Sequence, residues 1–422
     1  MSSAHISRWR LRRDNSDKNG RAGTRETKAP ASHTNPMART IKGVALTAAA
    51  CVFLGTAAYA QADLSAGSFT ADFSAMSQLK ALAAKGKGKI GVLLPETTTS
   101  ARYTSFDAPY LKRAFEAAGL SPDQYIITNA QGSESTELTQ AQSDISQGAT
   151  VLLMDPISSG VGASIESYAK SHGVPVVDYD RLTLGGSRDY YVSFNNVEVG
   201  KLIGKGMEAC LTAWSVPKPQ ILVMRGAPTD NNATLFAQGY MSVLKPKFDS
   251  GEYVNVGEPA GTWDPDKART TFEEQFTAHP NINAVVTPND DNANAIISYL
   301  KTLNVPPRVF PTTGQDATVT GMQNVLSGYQ CGSVYKPIYL EAQAAAALGI
   351  YLRAGETPPS GLVNGTTMDS KQNKPVPSVL LTPLWVTPKN MADTVVKDGF
   401  VKASQLCAGA YAKDCKAAGI TP

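Results

Sequence analysis

Residues 176–196 read VVDYDRLTLGGSRDYYVSFNN, and the fold turns on how they are understood. The stretch opens inside a short β-branched run, 174–177, of the kind that forms a buried parallel strand. Asp178, Asp180 and Arg181 stand where that strand should end. In an open α/β sheet, ligands bind just beyond the carboxyl ends of the strands, so an Asp-Arg pair there is a candidate polar grip. A Gly185-Gly186 turn, a second β-rich run at 190–194, Asn195-Asn196 and a helical pattern follow. A strand that leaves one α/β unit and enters another is what the hinge of a two-lobed protein requires. By position alone, a surface ion pair followed by a hairpin accounts for the stretch equally well.

Outward from this stretch, apolar runs of strand length recur at 90–94, 125–127, 151–154 and 174–177, with helical patterns between them at 106–118, 135–147 and 161–172. A second series has strands at 221–224, 253–256, 284–286 and 309–311 and helices at 197–214, 233–244, 265–278, 292–303 and 319–326. Strand and helix in turn imply βαβ units and parallel sheets with right-handed crossovers. The fold class is therefore α/β: two Rossmann-like lobes with parallel sheets, joined by a multi-strand hinge. Residues 87–194 with 334–378 are assigned to the N-terminal lobe, and 195–333 with 379–400 to the C-terminal lobe. Residues 61–86 read as a linker, 355–377 as Gly/Pro-rich loops, 379–384 as one strand, 393–400 as a helix and 401–422 as a tail.

The first sixty residues differ in kind. Residues 1–36 are polar and basic, and Met37 opens a basic start, an apolar run at 43–56 and Ala58-Tyr59-Ala60, the pattern of a secretory signal cleaved before Gln61. Met37 competes with Met1 as the true start. The apolar run continues past Cys51 through Val52-Phe53-Leu54, which argues against lipid attachment there. The 422-residue chain carries a formal charge of +3, but residues 1–60 hold ten of its 39 basic and three of its 36 acidic residues, which leaves the mature chain at −4. A mildly acidic chain without basic runs is a poor partner for nucleic acid. Of the remaining cysteines, Cys407 and Cys415 lie close enough for a local disulfide, while Cys210 and Cys331 read either as buried thiols or as a second bridge.

The strand ends collect a consistent polar set: Arg102 and Tyr103 with Glu96, Asp180 and Arg181, Thr229 to Asn232, Trp263, Asn289 to Asp291, Gln315-Asp316, and Lys336. Carboxylates, amides and guanidiniums can each serve two neighbouring hydroxyls, and flat rings cover the C–H face of a pyranose. No Walker pattern suited to phosphate occurs. An amino acid ligand is not excluded by composition. Asp230, Asn231, Asn232, Asn289 and Asp290 also read as plain helix caps, Trp263 as a packing residue and Lys336 as a turn lysine. His172 and His279 fall at the ends of helical patterns, and no G-x-S-x-G or H-E-x-x-H is present, so catalysis is not expected.

Several motifs carry a resemblance to a known family: YDR at 179–181, SFNNVEVG at 193–200, PTDNNATLFAQGYMSVLKP at 228–246, GQDA at 314–317, VYKPI at 334–338, LLTP at 380–383 and TVVKDGF at 394–400. From about Lys89 to Phe400 the chain resembles the periplasmic sugar-binding proteins of ABC importers, with the type I fold, and most of all those that bind D-xylose. The resemblance implies sugar contacts from Arg102, Tyr103, Asp180, Arg181, Asp230, Asn232, Trp263, Asn289, Asp316 and Lys336. It also implies a monomer, with no cofactor, that closes on a monosaccharide and delivers it to a membrane permease. Another sugar such as glucose, or a sensor role feeding a chemoreceptor, remains an alternative, with a secreted carbohydrate-active enzyme behind both. In the first loop, PETTTSARY, Tyr103 stands where the resemblance leads one to expect Trp, and the tail with Cys407 and Cys415 lies outside the family pattern.

Overall fold

The computed structural model describes residues 64–100 and 102–421, all within one compact unit, Tyr59–Pro422. The export signal expected in residues 1–60, Cys51 and the two candidate start methionines lie outside the described residues.

After a short helix, α1 (Lys80–Lys85), the first lobe alternates β1 (Lys89–Leu94), α2 (Ala108–Ala117), β2 (Tyr125–Asn129), α3 (Glu134–Ser146), β3 (Ala149–Met154), α4 (Ser159–Ser171), β4 (Val176–Tyr179) and β5 (Tyr190–Phe194). The second lobe follows with α5 (Asn196–Ala213), β6 (Gln220–Val223), α6 (Asn231–Asp249), β7 (Val254–Gly257), α7 (Pro265–Ala278), β8 (Ala284–Val286), α8 (Asp290–Thr302) and α9 (Val319–Ser327). The chain then passes through β9 (Ser333–Tyr335), α10 (Ile338–Arg353), β10 (Gly365–Asp369), β11 (Lys374–Leu381) and β12 (Leu384–Val386).

Seven strands form the first sheet in the order β10-β11-β5-β4-β3-β1-β2, parallel except for the edge pair β10–β11. Three form the second, β7-β6-β8, all parallel. Strands covered on both faces need apolar residues throughout, and Ile90, Val92, Leu93, Val151, Leu152 and Leu153 are all fully buried. Helix α10 is Ala-rich and buried almost end to end, because it lies between α2 and the first sheet. In the second lobe α5 and α6 cross at Gly200 and Gly239, where a Cβ on either residue would strike the other helix's backbone. That close crossing sets the height of the α6 N-terminus, which carries Asp230 and Asn232.

Several expectations change. Residues 64–85, part of the stretch read as a linker, are packed structure: Leu64, Phe69, Phe73, Met76 and Leu79 sink into the main core, and Arg113 lies 4.2 Å from the centre of the Phe73 ring. No strand forms at 309–311; a single bridge joins Thr312 to Val285. The segment 355–377 is not all loop, since it contains the β10–β11 hairpin. The strand expected at 379–384 is two strands: β11 ends in the first sheet at Leu381, and β12 pairs antiparallel with β9. Val334 also bridges to Gln315, so β9 sits with the second lobe, and the later change of lobe falls after Leu381 instead of between 378 and 379. The helix expected at 393–400 is a single π-helical turn, Ala392–Val396.

Cys407 is bonded to Cys415, and Cys210 is bonded to Cys331, tying α5 to the segment before β9. The tail is not loose. Phe400, Leu406, Cys415 and Ile420 join Met322 and Val395 in a second core, and the Phe400 ring stacks on Phe106 at 4.0 Å between centroids.

If residues 64–85 belong to the core, Phe73→Ala should destabilise the protein by about 3–5 kcal/mol. Urea unfolding monitored by circular dichroism reads this directly, and an unchanged midpoint would return the segment to the status of a linker.

Candidate functional site

The ten residues expected at strand ends all line one cleft. Arg102 and Tyr103 enter from the first lobe at the start of the helix after β1, where Tyr103–Asp107 forms one turn of π-helix. Such turns are frequent at functional sites. Asp180 and Arg181 follow β4, and Asp180 adopts φ +58°, a left-handed conformation that a non-glycine residue holds only when its surroundings fix it. The second lobe supplies Asp230 and Asn232 at the start of α6, Trp263 before α7, Asn289 before α8, and Asp316. Lys336 comes from the end of β9, where the chain recrosses between lobes.

The charged groups hold one another. The Arg102 guanidinium donates to both Asp107 oxygens at 2.7 and 2.9 Å, to Asp180 Oδ1 at 2.8 Å and to Glu341 Oε2 at 2.8 Å. Lys336 Nζ lies 3.7 Å from Asp180 and 3.5 Å from Asp316. Arg181 Nη2 donates to the Tyr103 hydroxyl at 2.9 Å, and its Nε lies 3.3 Å from Asp230. Burial alone would push Asp180 up, but Arg102, Lys336 and Arg181 outweigh it and hold the carboxyl at about 2. For Asp230 burial wins over Arg181 and the carboxyl shifts upward.

The helix-cap readings and the cleft readings turn out to be true together. Asp230 Oδ1 accepts the Asn232 amide at 2.8 Å, closing the start of α6, while Oδ2 accepts Trp263 Nε1 at 3.0 Å. Asn289 caps α8 through the Asn292 amide at 3.1 Å and also lines the cleft. Asn232 is largely engaged elsewhere: its Nδ2 donates to the Asp180 carbonyl at 2.9 Å, and its Oδ1 accepts from Asn196 Nδ2 at 2.8 Å. The Asn232–Asp180 bond crosses from the second lobe to the first, as does Arg181–Asp230, so the lobes meet in a closed arrangement. Trp263 is half-buried, with Phe236 edge-on to it at 6.4 Å.

Other residues fall elsewhere. Glu96 lies outside the cleft and closes its own loop by accepting the Thr98 and Thr99 amides, both at 2.6 Å. His172 and His279 are exposed. Thr99, Ser100, Phe236 and Gln315 line the cleft without having been singled out as contacts. Phe236 stands one helical turn after Asn232, a spacing that could have revealed it. Asp107 and Glu341, which hold Arg102, were also missed; Glu341 comes from α10, 239 residues away, and no local spacing announces it.

Residues 90–357 match the periplasmic binding protein domain family. The chain belongs to this family. It is 38% identical over 282 residues to the D-xylose-binding periplasmic protein of Escherichia coli K12, covering 66% of this chain and 82% of that one. It is 30% identical over 338 residues to the multiple sugar-binding periplasmic receptor ChvE of Rhizobium radiobacter, covering 76% and 93%. An ABC transporter solute-binding protein from Clostridium phytofermentans, solved with β-D-glucose, superposes with a TM-score of 0.68 at 26% identity over 75% of this chain and 99% of that chain. These relatives are solute-binding proteins.

A depressed carboxyl stabilises the folded state above its unfolded value and loses that contribution as the pH falls through its folded one. For Asp180 the window runs from its ordinary 3.8 down to about 2. Melting temperatures measured from pH 5 to pH 2 should therefore fall less steeply in Asp180→Asn than in the wild type, by an amount on the order of 2 kcal/mol across the window. Parallel curves would show that the Asp180 carboxylate is not held in this way.

Proposed function

We propose that this protein is a periplasmic receptor that captures one neutral monosaccharide, D-xylose or a close analogue, between its lobes and presents it to the membrane permease of an ABC importer. The observation that carries the reading is the charge balance of the cleft. Its three cations, Arg102, Arg181 and Lys336, each already face carboxylates of the same site. A phosphate or carboxylate ligand would need an uncommitted cation. A neutral polyol needs fixed donors and acceptors, and these groups are fixed.

In this reading Arg102, Asp180, Asp230, Asn289, Asp316 and Lys336 hold hydroxyls, Trp263 covers an apolar face of the ring, and Tyr103, Arg181 and Asn232 shape the wall between them. The first lobe contributes four of the ten residues, the second five, and Lys336 comes from the crossover. A ligand that contacts both lobes binds the closed form better than the open one, so it shifts the population toward closure. The xylose-binding and multiple sugar-binding relatives support a sugar as ligand and the periplasm as location. The secretory pattern at residues 37–60 is consistent with export, and no described helix is long and apolar enough to cross a membrane.

Titration calorimetry tests this on residues 61–422, unfolded and refolded to strip bound ligand, against xylose, glucose, galactose, arabinose, ribose and fructose. One-to-one binding of xylose is expected, and silence across the panel would overturn the ligand class. Hydrogen bonds to a charged group are worth about 1.5–3 kcal/mol each, so Asp180→Ala should weaken binding about a hundredfold, beyond the roughly 2 kcal/mol of stability that its carboxylate supplies. Normal binding by that variant would remove Asp180 from the site.

A further inference from the structure

Asp155 directly follows β3, at the carboxyl end of a central strand of the first sheet, and it is fully buried. Neither of its carboxylate oxygens accepts a hydrogen bond. The cation beside it is Arg181, whose Nε lies 3.5 Å away. Burial pushes the Asp155 carboxyl well up, and Arg181 offsets this only in part. A buried carboxylate without hydrogen bonds is costly, and the closed arrangement by itself gives no reason for an acid at this position.

Arg181 supplies the reason. In the closed cleft its guanidinium is divided among the Tyr103 hydroxyl at 2.9 Å, the Pro156 carbonyl at 3.4 Å, Asp155 at 3.5 Å and Asp230 at 3.3 Å. Three of these partners belong to the first lobe, and Asp230 alone comes from the second. When the lobes part, Asp230 leaves with α6. The carboxylate that stays within reach has both oxygens free, and the arginine fork matches a carboxylate with two parallel bonds. We propose that Asp155 is a positioning residue that seats Arg181 in the open, ligand-free form, and that closure transfers the arginine from Asp155 to a shared position with Asp230. The proposal rests on the hinge-closure reading above.

The consequence runs against the usual effect of a mutation near a binding site. Asp155→Asn is nearly isosteric and removes the open-state seat, while the closed state loses only a contact without hydrogen bonds. The open form is weakened more than the closed form, so xylose should bind about three- to tenfold more tightly and dissociate correspondingly more slowly. Small-angle X-ray scattering should find the ligand-free variant more compact than the ligand-free wild type, and the two alike with sugar. Weaker binding with an unchanged ligand-free radius would confine Asp155 to the closed cleft and overturn the proposal. A wild type equally compact with and without sugar would also overturn it, while leaving sugar binding intact. If no sugar binds the wild type, the ligand assignment fails, and the scattering comparison of the ligand-free forms still decides the seat. Should Asp155→Asn not fold, Asp155→Glu keeps the charge and must show a wild-type open population; a compact ligand-free form would count against the seat.

Discussion

Everything in the cleft depends on balancing charge where water is scarce. Arg102 is one cation facing Asp107, Asp180 and Glu341, and a guanidinium cannot neutralise three carboxylates. Burial pushes Glu341 up to about 8 against the pull of Arg102, and its Oε1 has no hydrogen-bond partner, so burial favours its neutral form. The Asp180 carboxyl is held down at about 2, and the arginine is gripped from three sides. The left-handed turn at Asp180 persists for a related reason: its carbonyl accepts both Asn232 Nδ2 and the Tyr191 hydroxyl, so the strained backbone is tied from two directions.

The same economy explains why the helix N-termini around the cleft do not make it an anion site. The starts of α6 and α8 point their free amides toward the ligand space, which in other proteins attracts phosphate. Here Asp230 and Asn289 each accept one of those amides, from Asn232 and Asn292. The capping groups consume the positive ends of the helices and present carboxylate or amide oxygens instead, converting an anion trap into a surface of hydrogen-bond acceptors. Capping and ligand recognition are therefore one arrangement and not competing explanations of the same residues.

The legible parts of the sequence were those where the physics is local. Parallel strands buried on both faces leave short continuous apolar runs, and the residues after them are placed where they can face the cleft, so ten positions scattered from Arg102 to Lys336 could be read from strand ends and motifs. Partners brought by tertiary packing left no such trace: Glu341 lies on an Ala-rich helix that reads as pure core, and Asp155 reads as an ordinary residue after a strand. The strand β12, three residues long, is too short to show a period. Pro375 and Pro377 suggested loop, yet both lie where β11 pairs only with β10; pairing with β5 begins at Ser378, so the missing amides weaken an edge and not the middle of the sheet. The buried segment around Phe73 was hidden because its apolar residues recur every third position in a tight helical turn, within a Ser- and Ala-rich run that looks like linker.

Tyr103 shows how a substitution at a binding position can reach beyond ring size. A tryptophan there would offer a broad face and an N–H donor. The tyrosine instead offers an oxygen that accepts from Arg181, with the Arg102 and Arg181 guanidiniums 5.4 and 5.7 Å from its ring centre. Its hydroxyl takes an N–H that would otherwise be free for ligand, and it ties the loop after β1 to the loop after β4. Replacing the acceptor changes how far Arg181 can move as the lobes open, and with it the balance between Asp155 and Asp230. On the proposed closure, the Tyr103–Arg181 pair and the acids on either side act together, since none of them can change without altering the donors presented in the cleft.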